Sequence, residues 1–265
     1  MNSYLEQRNL TIDLLRALTM VLMLMVNDFW SVAGIPHWME HAAWGEDMLG
    51  FSDIVFPTFL FCVGLSIPYA VAAMRRKGKS EGDVIRHILE RSFALILMGA
   101  FICNYEEGID PAVGYDRNIY SLLMTVAFFL VFNHYQKKSW VVRLLKLVGW
   151  CVLLYLLITS RSPEGRTFYP YWWGILGLIG WSYVFCAIAY MLARQSTYGV
   201  FMVWLTLFII AILTSPLNET WGGEAIVPMK NNFLGTLLHD TLHIDNGAHH
   251  LLVMSGACLS TLAAK

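Results

Sequence analysis

Charge is the scarcest property of this sequence. Only 14% of its 265 residues are charged, whereas 57% are hydrophobic and the mean hydropathy is +0.54. A soluble domain carries about 25% charge, so most of this surface must meet lipid, and the chain reads as an integral membrane protein. The net charge of −1 leaves no excess of positive charge to favour nucleic acid. Cysteine is sparse too. The five (Cys62, Cys103, Cys151, Cys186 and Cys258) are odd in number, form no CxxC and fall in apolar runs. They read as buried packing residues, which excludes a disulfide framework. No small-residue cleavage site follows the first apolar run, so that run reads as a retained span rather than a signal peptide. Internal repeats and low-complexity linkers are absent, and residues 1–265 read as a single membrane domain.

What is present is a series of long apolar runs. A membrane helix needs about 20 mostly apolar residues, and eight candidate spans satisfy this: 11–30, 51–74, 88–104, 118–133, 140–160, 171–193, 198–215 and 247–263. The expected fold class is all-α, a polytopic membrane helix bundle. Lysine and arginine set its orientation. Arg75, Arg76, Lys77, Lys79, Arg86 and Arg91 lie between the second and third spans, and Lys137, Lys138, Arg143 and Lys146 between the fourth and fifth. The alternate loops are poor in basic residues, and 31–50 has none. The bias places the N-terminus in the cytoplasm and His41 on the far side, the periplasm of a bacterium or the lumen of an organelle. The basic stretch 75–91 could hold phosphates, but this bias explains it without a ligand. Lys265 follows the eighth span directly. Either eight spans suffice or the chain is the front part of a longer protein.

Ionisable groups within apolar spans are costly and mark functional sites by default. The first span carries Asp13, Arg16 and Asn27. At 100° per residue Arg16 and Asn27 share a face to within about 20° and lie about 16 Å apart along the axis. Asp13 is one turn below Arg16. The result is a polar stripe through the span, either a snorkelling ion pair with an interior asparagine or the lining of a pathway. In the second span Asp53, Pro57, Gly64 and Pro68 fall on one side, where freed backbone groups face protein or water. Asp53 suits a helix N-cap. Twelve residues after His41, it also suits an orienter of that imidazole.

His41 sits in a short polar loop with Trp38 and Trp44, which also fit interfacial anchors. A third constellation is His239, Asp240, His243, Asp245, His249 and His250. His239 and His243 have a metal-binding spacing on a helix. With no HExxH and no nearby cysteine, the segment reads instead as a polar mouth that binds substrate, and no metal is expected.

These residues carry a resemblance. The stretch IDLLRALTMVLMLMVN, then HAAW, then DIVFPTFLFCVGLSI, in that order, resembles the heparan-α-glucosaminide N-acetyltransferase family and its bacterial relatives, part of the transmembrane acyltransferase superfamily. The family pattern is approximately LDxxRG, VN, HAxWNG and DLVFPxFLFxxGxSI. The strong part covers residues 8–70, and YPYWWGILGLIGWSY resembles bacterial members more weakly. Ala17 replaces the glycine of LDxxRG, Trp44-Gly45-Glu46 stands for WNG, and His41 and Asp53 are two residues further apart than in the family. The family also has more spans, about eleven.

The resemblance implies transfer of an acetyl group from cytosolic acetyl-CoA, a co-substrate, to the amine or hydroxyl of a glucosamine-type sugar or glycan across the lipid bilayer. It implies His41 as the catalytic histidine and matches Asp53 to the family's DLVFP aspartate and Asn27 to its VN asparagine; by their chemistry, Asp53 is expected to orient the imidazole and Asn27 to donate to the thioester oxyanion. Arg16 and Asp13 correspond to the family's LDxxR, with Arg16 placed to meet a CoA phosphate. Trp44, His249 and His250 are expected near the acceptor. A bacterial inner membrane and a homodimer are further expectations from the resemblance. The alternatives are a transporter lined by the polar stripe and a non-catalytic membrane protein on the same scaffold.

Overall fold

The computed structural model describes residues 10–43, 46–136, 139–193, 196–214 and 248–263. It contains eight α-helices among these: α1 (Leu10–Asn27), α2 (Phe51–Arg76), α3 (Glu81–Glu107), α4 (Arg117–Phe132), α5 (Trp140–Thr159), α6 (Gly174–Leu192), α7 (Thr197–Thr214) and α8 (Ala248–Ala263). Each falls on one of the eight apolar runs. Five of them, α1, α2, α3, α5 and α6, are long and apolar enough to cross a membrane, and α4, α7 and α8 are shorter apolar helices. The described residues are all-helical apart from one isolated bridge, Arg161 with Thr167.

Two boundaries differ from the hydropathy pattern for local reasons. α3 starts before its apolar run because Ser80 and Asp83 form a reciprocal capping box, Asp83 N–H to Ser80 Oγ at 3.1 Å and Ser80 N–H to Asp83 Oδ2 at 3.1 Å. α6 starts only at Gly174 because Tyr171 and Trp173 take positive φ values, 49° and 66°, which a right-handed helix excludes. Of the five cysteines, Cys62, Cys103, Cys186 and Cys258 are buried as expected. Cys151 is not. It lies on an exposed face of α5, where leucines and valines also point outward.

The chain divides into two compact units, one of residues 1–90 and 181–265 and the other of 91–180. In the first, α1 buries Ile12, Thr19 and Val26, spaced seven apart, which at 3.6 residues per turn return to one face. Leu10, Leu14, Leu18, Val21 and Leu24 point outward, as a lipid-facing stripe does. α2 packs most extensively on α8. Gly64 and Gly256 let the two backbones meet: a side chain at Gly64 would strike the Val253 carbonyl, and one at Gly256 the Phe61 carbonyl. Small residues bring membrane helices together in this way. Ser260 Oγ donates to the Leu65 carbonyl at 2.8 Å across the same contact, and Trp204 Nε1 of α7 donates to Ser255 Oγ of α8 at 2.8 Å.

The second unit is built around Phe101, Tyr120, Met124, Ala127, Leu153 and Leu156. The buried Asn104 amide clips the Tyr169 backbone in both directions, donating to its carbonyl at 2.7 Å and accepting from its N–H at 3.3 Å.

Candidate active site

His41 and Asp53 meet where the loop after α1 returns to the start of α2. Two short 3-10 turns, Phe29–Ser31 and His37–Met39, fold this loop. Gly50 is the N-cap of α2, and Asp53 is its third helical residue. The first turn of a helix exposes unpaired N–H groups and attracts a carboxylate. Asp53 Oδ2 accepts from the Gly50 N–H at 2.9 Å and from the Ala42 N–H at 3.0 Å. Its other oxygen, Oδ1, lies 2.7 Å from His41 Nδ1. The two readings of Asp53, helix cap and histidine partner, therefore coexist on different oxygens of one carboxylate.

The loop is held at four successive residues. Ser52, 2% exposed, donates from Oγ to the Met39 carbonyl at 2.6 Å. The Glu40 carbonyl rests against Gly50 so closely that a side chain there would collide with it. His41 and Ala42 are held by Asp53. An ionised carboxylate only accepts, so Nδ1 carries the proton and Nε2 of the neutral imidazole is left as the basic nitrogen. The His41 side chain is 44% exposed and that of Asp53 24%, so the histidine is accessible while its partner is largely covered. Beside them is a cavity of about 260 Å³ lined by Phe29, Val32, Glu40 and His41.

A second imidazole–carboxylate pair stands in the same loop. His37 Nε2 lies 2.6 Å from Glu46 Oε1, and Glu46 Oε2 accepts from the Ala43 N–H at 3.1 Å. The hydrogen bond and charge of Glu46 raise His37 above its ordinary 6.5, and the bond to His37 lowers Glu46 below its ordinary 4.5. His37 thus stabilises the loop fully below pH 6.5 and loses this as pH rises through its raised value. Glu46 contributes above pH 4.5 and fails as pH falls through its lowered value. We expect the His37 ring to titrate above 6.5 by NMR and to return towards 6.5 in Glu46→Gln. An unchanged midpoint in that variant would remove the pair from the loop's support.

The other expected residues are placed as follows. Asn27 ends α1, exposed, two residues before Phe29 of the cavity wall. Asp13 and Arg16 are half-buried towards the opposite end of α1, and Arg16 Nε is enclosed with no hydrogen-bond partner among the described residues. His249 opens α8 with its ring 5.8 Å from Phe56, which is three residues beyond Asp53 on α2. His250 turns the other way. It is 1% exposed, packs edge-on to Phe185 at 5.2 Å and lines an apolar cavity of about 610 Å³ between α6 and α7. The fold thus joins His41 to Asp53, brings Asn27 and His249 near that end of the unit, and separates His250 from it. Trp44, and with it His239, Asp240, His243 and Asp245, lies outside the described residues. Among the described residues no three His, Cys, Asp or Glu side chains are grouped to hold a metal ion.

Sequence reasoning did not single out Gly50 or Ser52. The signal was present in Gly50-Phe51-Ser52-Asp53, a glycine with an acid three residues later at the start of an apolar run, which is a helix-start pattern. Glu46 carried no comparable signal, because its partner His37 is fixed by loop geometry.

Residues 8–106 match the family model for heparan-alpha-glucosaminide N-acetyltransferase, catalytic. The chain is similar to the heparan-alpha-glucosaminide N-acetyltransferase of mouse, 35% identical over 101 residues, covering 38% of this chain and 14% of the relative. It is likewise similar to the human protein of that name, 34% identical over 110 residues, covering 41% of this chain and 16% of the relative. The matched stretch is thus a small part of those relatives' length. No solved structure gives a significant match.

Proposed function

We propose, from the membership of residues 8–106 in the heparan-alpha-glucosaminide N-acetyltransferase catalytic family, that this protein is a membrane acetyltransferase moving acetyl from acetyl-CoA to a glucosamine-type acceptor. The observation that carries the reading is the His41–Asp53 contact of 2.7 Å inside that matched stretch, at the edge of a cavity. His41 Nε2 takes a proton from the acceptor nitrogen as it attacks the thioester carbonyl. A C–N bond forms, the C–S bond breaks, and the imidazolium returns the proton to the departing CoA sulfur. A route through transiently acetylated His41 uses the same residues. Asp53 holds the imidazole in one tautomer and stabilises its charged form. Asn27 donates to the oxyanion. Arg16, beside Asp13 and about 16 Å along α1, meets a CoA phosphate. His249, whose ring lies 5.8 Å from Phe56, contributes to acceptor binding together with Trp44, whereas His250 takes no part in that site.

The Lys and Arg bias supports an orientation with His41 on the face away from the cytoplasm, the periplasmic face of a bacterial inner membrane. The reaction would then be vectorial. The test uses proteoliposomes with radiolabelled acetyl-CoA on the cytoplasmic-face side and glucosamine on the other. The expected result is labelled N-acetylglucosamine in the glucosamine compartment. Folded protein that releases no CoA overturns the acetyltransferase reading. Transfer only when both substrates share one compartment overturns the vectorial part.

A further inference from the structure

Two carboxylates hold the loop around His41 in the same way. Asp53 bonds the His41 imidazole with one oxygen and the Ala42 N–H with the other. Glu46 bonds the His37 imidazole with Oε1, at 2.6 Å, and the Ala43 N–H with Oε2, at 3.1 Å. The Glu46 N–H also donates to the Ala43 carbonyl at 3.0 Å, so both polar backbone groups of Ala43 are tied to one residue. The two peptide N–H groups that follow His41 are therefore held by different acids, one from α2 and one from the loop itself. We propose that Glu46 is a positioning residue for His41, acting through Ala43, and that His37 is the counter-ion that keeps Glu46 in place, an inference that rests on the acetyltransferase reading above.

The two grips do different things. Asp53 fixes the imidazole and reaches no further along the loop than Ala42. One backbone hydrogen bond leaves a segment free to pivot, whereas two on consecutive peptides set its direction. Glu46 supplies the second. A glutamate side chain loses rotamer freedom when it is held, and an opposite charge offsets that cost. Residues 28–53 contain no lysine or arginine, and His41 is taken by Asp53, so His37 is the cation within reach. The charged groups that face His37 are Glu46 and, at 3.9 Å from Nδ1, Glu40. Both favour the imidazolium, and His37 is raised above 6.5. The charged ring gives Glu46 a charge-assisted bond, and the neutral ring only a weaker one. The brace is therefore strongest below pH 6.5 and weakens as pH rises through the raised midpoint of His37. His41 has the opposite need, because a general base must be unprotonated.

The experiment uses the purified full chain. It measures acetyl transfer to glucosamine across pH, and hydrogen exchange of the peptide that contains His41 to Ala43. Glu46→Ala should speed that exchange and lower kcat about tenfold. This is less than the roughly 10²-fold of a 1 Å misplacement, because Asp53 still holds His41 and Ala42. Glu46→Gln keeps an oxygen for the Ala43 N–H and loses the charge, so it should recover most of the rate. The ratio of wild-type to Glu46→Gln kcat cancels the titration of His41 and of the acceptor amine, which both proteins share. It is expected to be about two- to fivefold below pH 6.5, the worth of an exposed ion pair, and to fall towards one as pH rises through the His37 midpoint. His37→Ala should cost about as much as Glu46→Gln and nothing further in a Glu46→Ala background, where it has no partner left to act through. Wild-type kcat in Glu46→Ala overturns the proposal. A ratio that stays constant with pH, or additive losses in the double variant, overturns the part assigned to His37. Faster exchange in Glu46→Ala, from a wild type that transfers no acetyl group, would remove the acetyltransferase reading and sustain the brace. Active enzyme with neither exchange nor kcat dependent on Glu46 would do the opposite.

Discussion

His41→Ala is expected to lower acetyl transfer by about 10²–10⁴-fold, the range for loss of a positioned general base, while helical circular dichroism stays that of the wild type. The two halves of this expectation have separate causes. The imidazole supplies the basic Nε2, and nothing else in the loop replaces it, because His37 is committed to Glu46. The fold does not depend on it, because the side chain is 44% exposed and lies before α2 rather than in its packed face. Asp53→Asn is the sharper variant. Three donors converge on the carboxylate: the Gly50 N–H, the Ala42 N–H and His41 Nδ1. An amide has a single acceptor oxygen and cannot satisfy both sides. If the oxygen stays with the backbone, the NH₂ faces Nδ1 and forces the proton onto Nε2, where the base is needed. In a serine-protease triad the same carboxylate-to-amide change costs about 10⁴ in rate, and a similar loss is expected here. Initial rates with radiolabelled acetyl-CoA check both variants. Near-wild-type turnover in His41→Ala would end its catalytic assignment.

The apolar runs made the eight helices of the described residues legible because a chain in lipid has few other ways to satisfy its backbone. Their number and approximate bounds follow from hydropathy alone. Ser80 and Tyr171 mark where it stops working. One caps a helix beyond its apolar run, and the other holds a backbone conformation that delays a helix. The His41–Asp53 pair was legible through the family resemblance and through the placement of an acid at the mouth of an apolar run. His250 was less so. Chain neighbours on a helix diverge by 100°, so His249 faces Phe56 of α2 while His250 packs against Phe185 of α6. Adjacent letters in the sequence concealed different faces of the helix. Gly50 and Ser52 were hidden for another reason. The helix-start pattern marks where they stand, but their importance lies in what they touch ten and thirteen residues earlier, a contact with the preceding loop that this pattern does not encode.

Gly50→Ala should lower kcat about 100-fold. The backbone at Gly50 is extended, φ −74° and ψ 162°, a conformation open to any residue. On backbone grounds alone alanine would stabilise the fold by about 0.4–1 kcal/mol through the unfolded chain. The native contact reverses that sign. A Cβ at this position falls on the Glu40 carbonyl, which is backbone and cannot rotate aside. The segment of residues 39–42 must retreat, and His41 retreats with it. A misplacement of about 1 Å in a catalytic group can cost about 10²-fold in rate, whereas the cavity's Phe29 and Val32 stay where they are. Ser52→Ala tests the same tether from the other side. It removes the hydroxyl that holds the Met39 carbonyl at 2.6 Å and adds no bulk, so its loss of kcat should be in the same direction and smaller, with Ser52→Thr recovering part of it. Wild-type kcat in Gly50→Ala would mean that residues 39–42 can shift without moving the imidazole. The rigidity ascribed to this four-point attachment would then play no part in the chemistry.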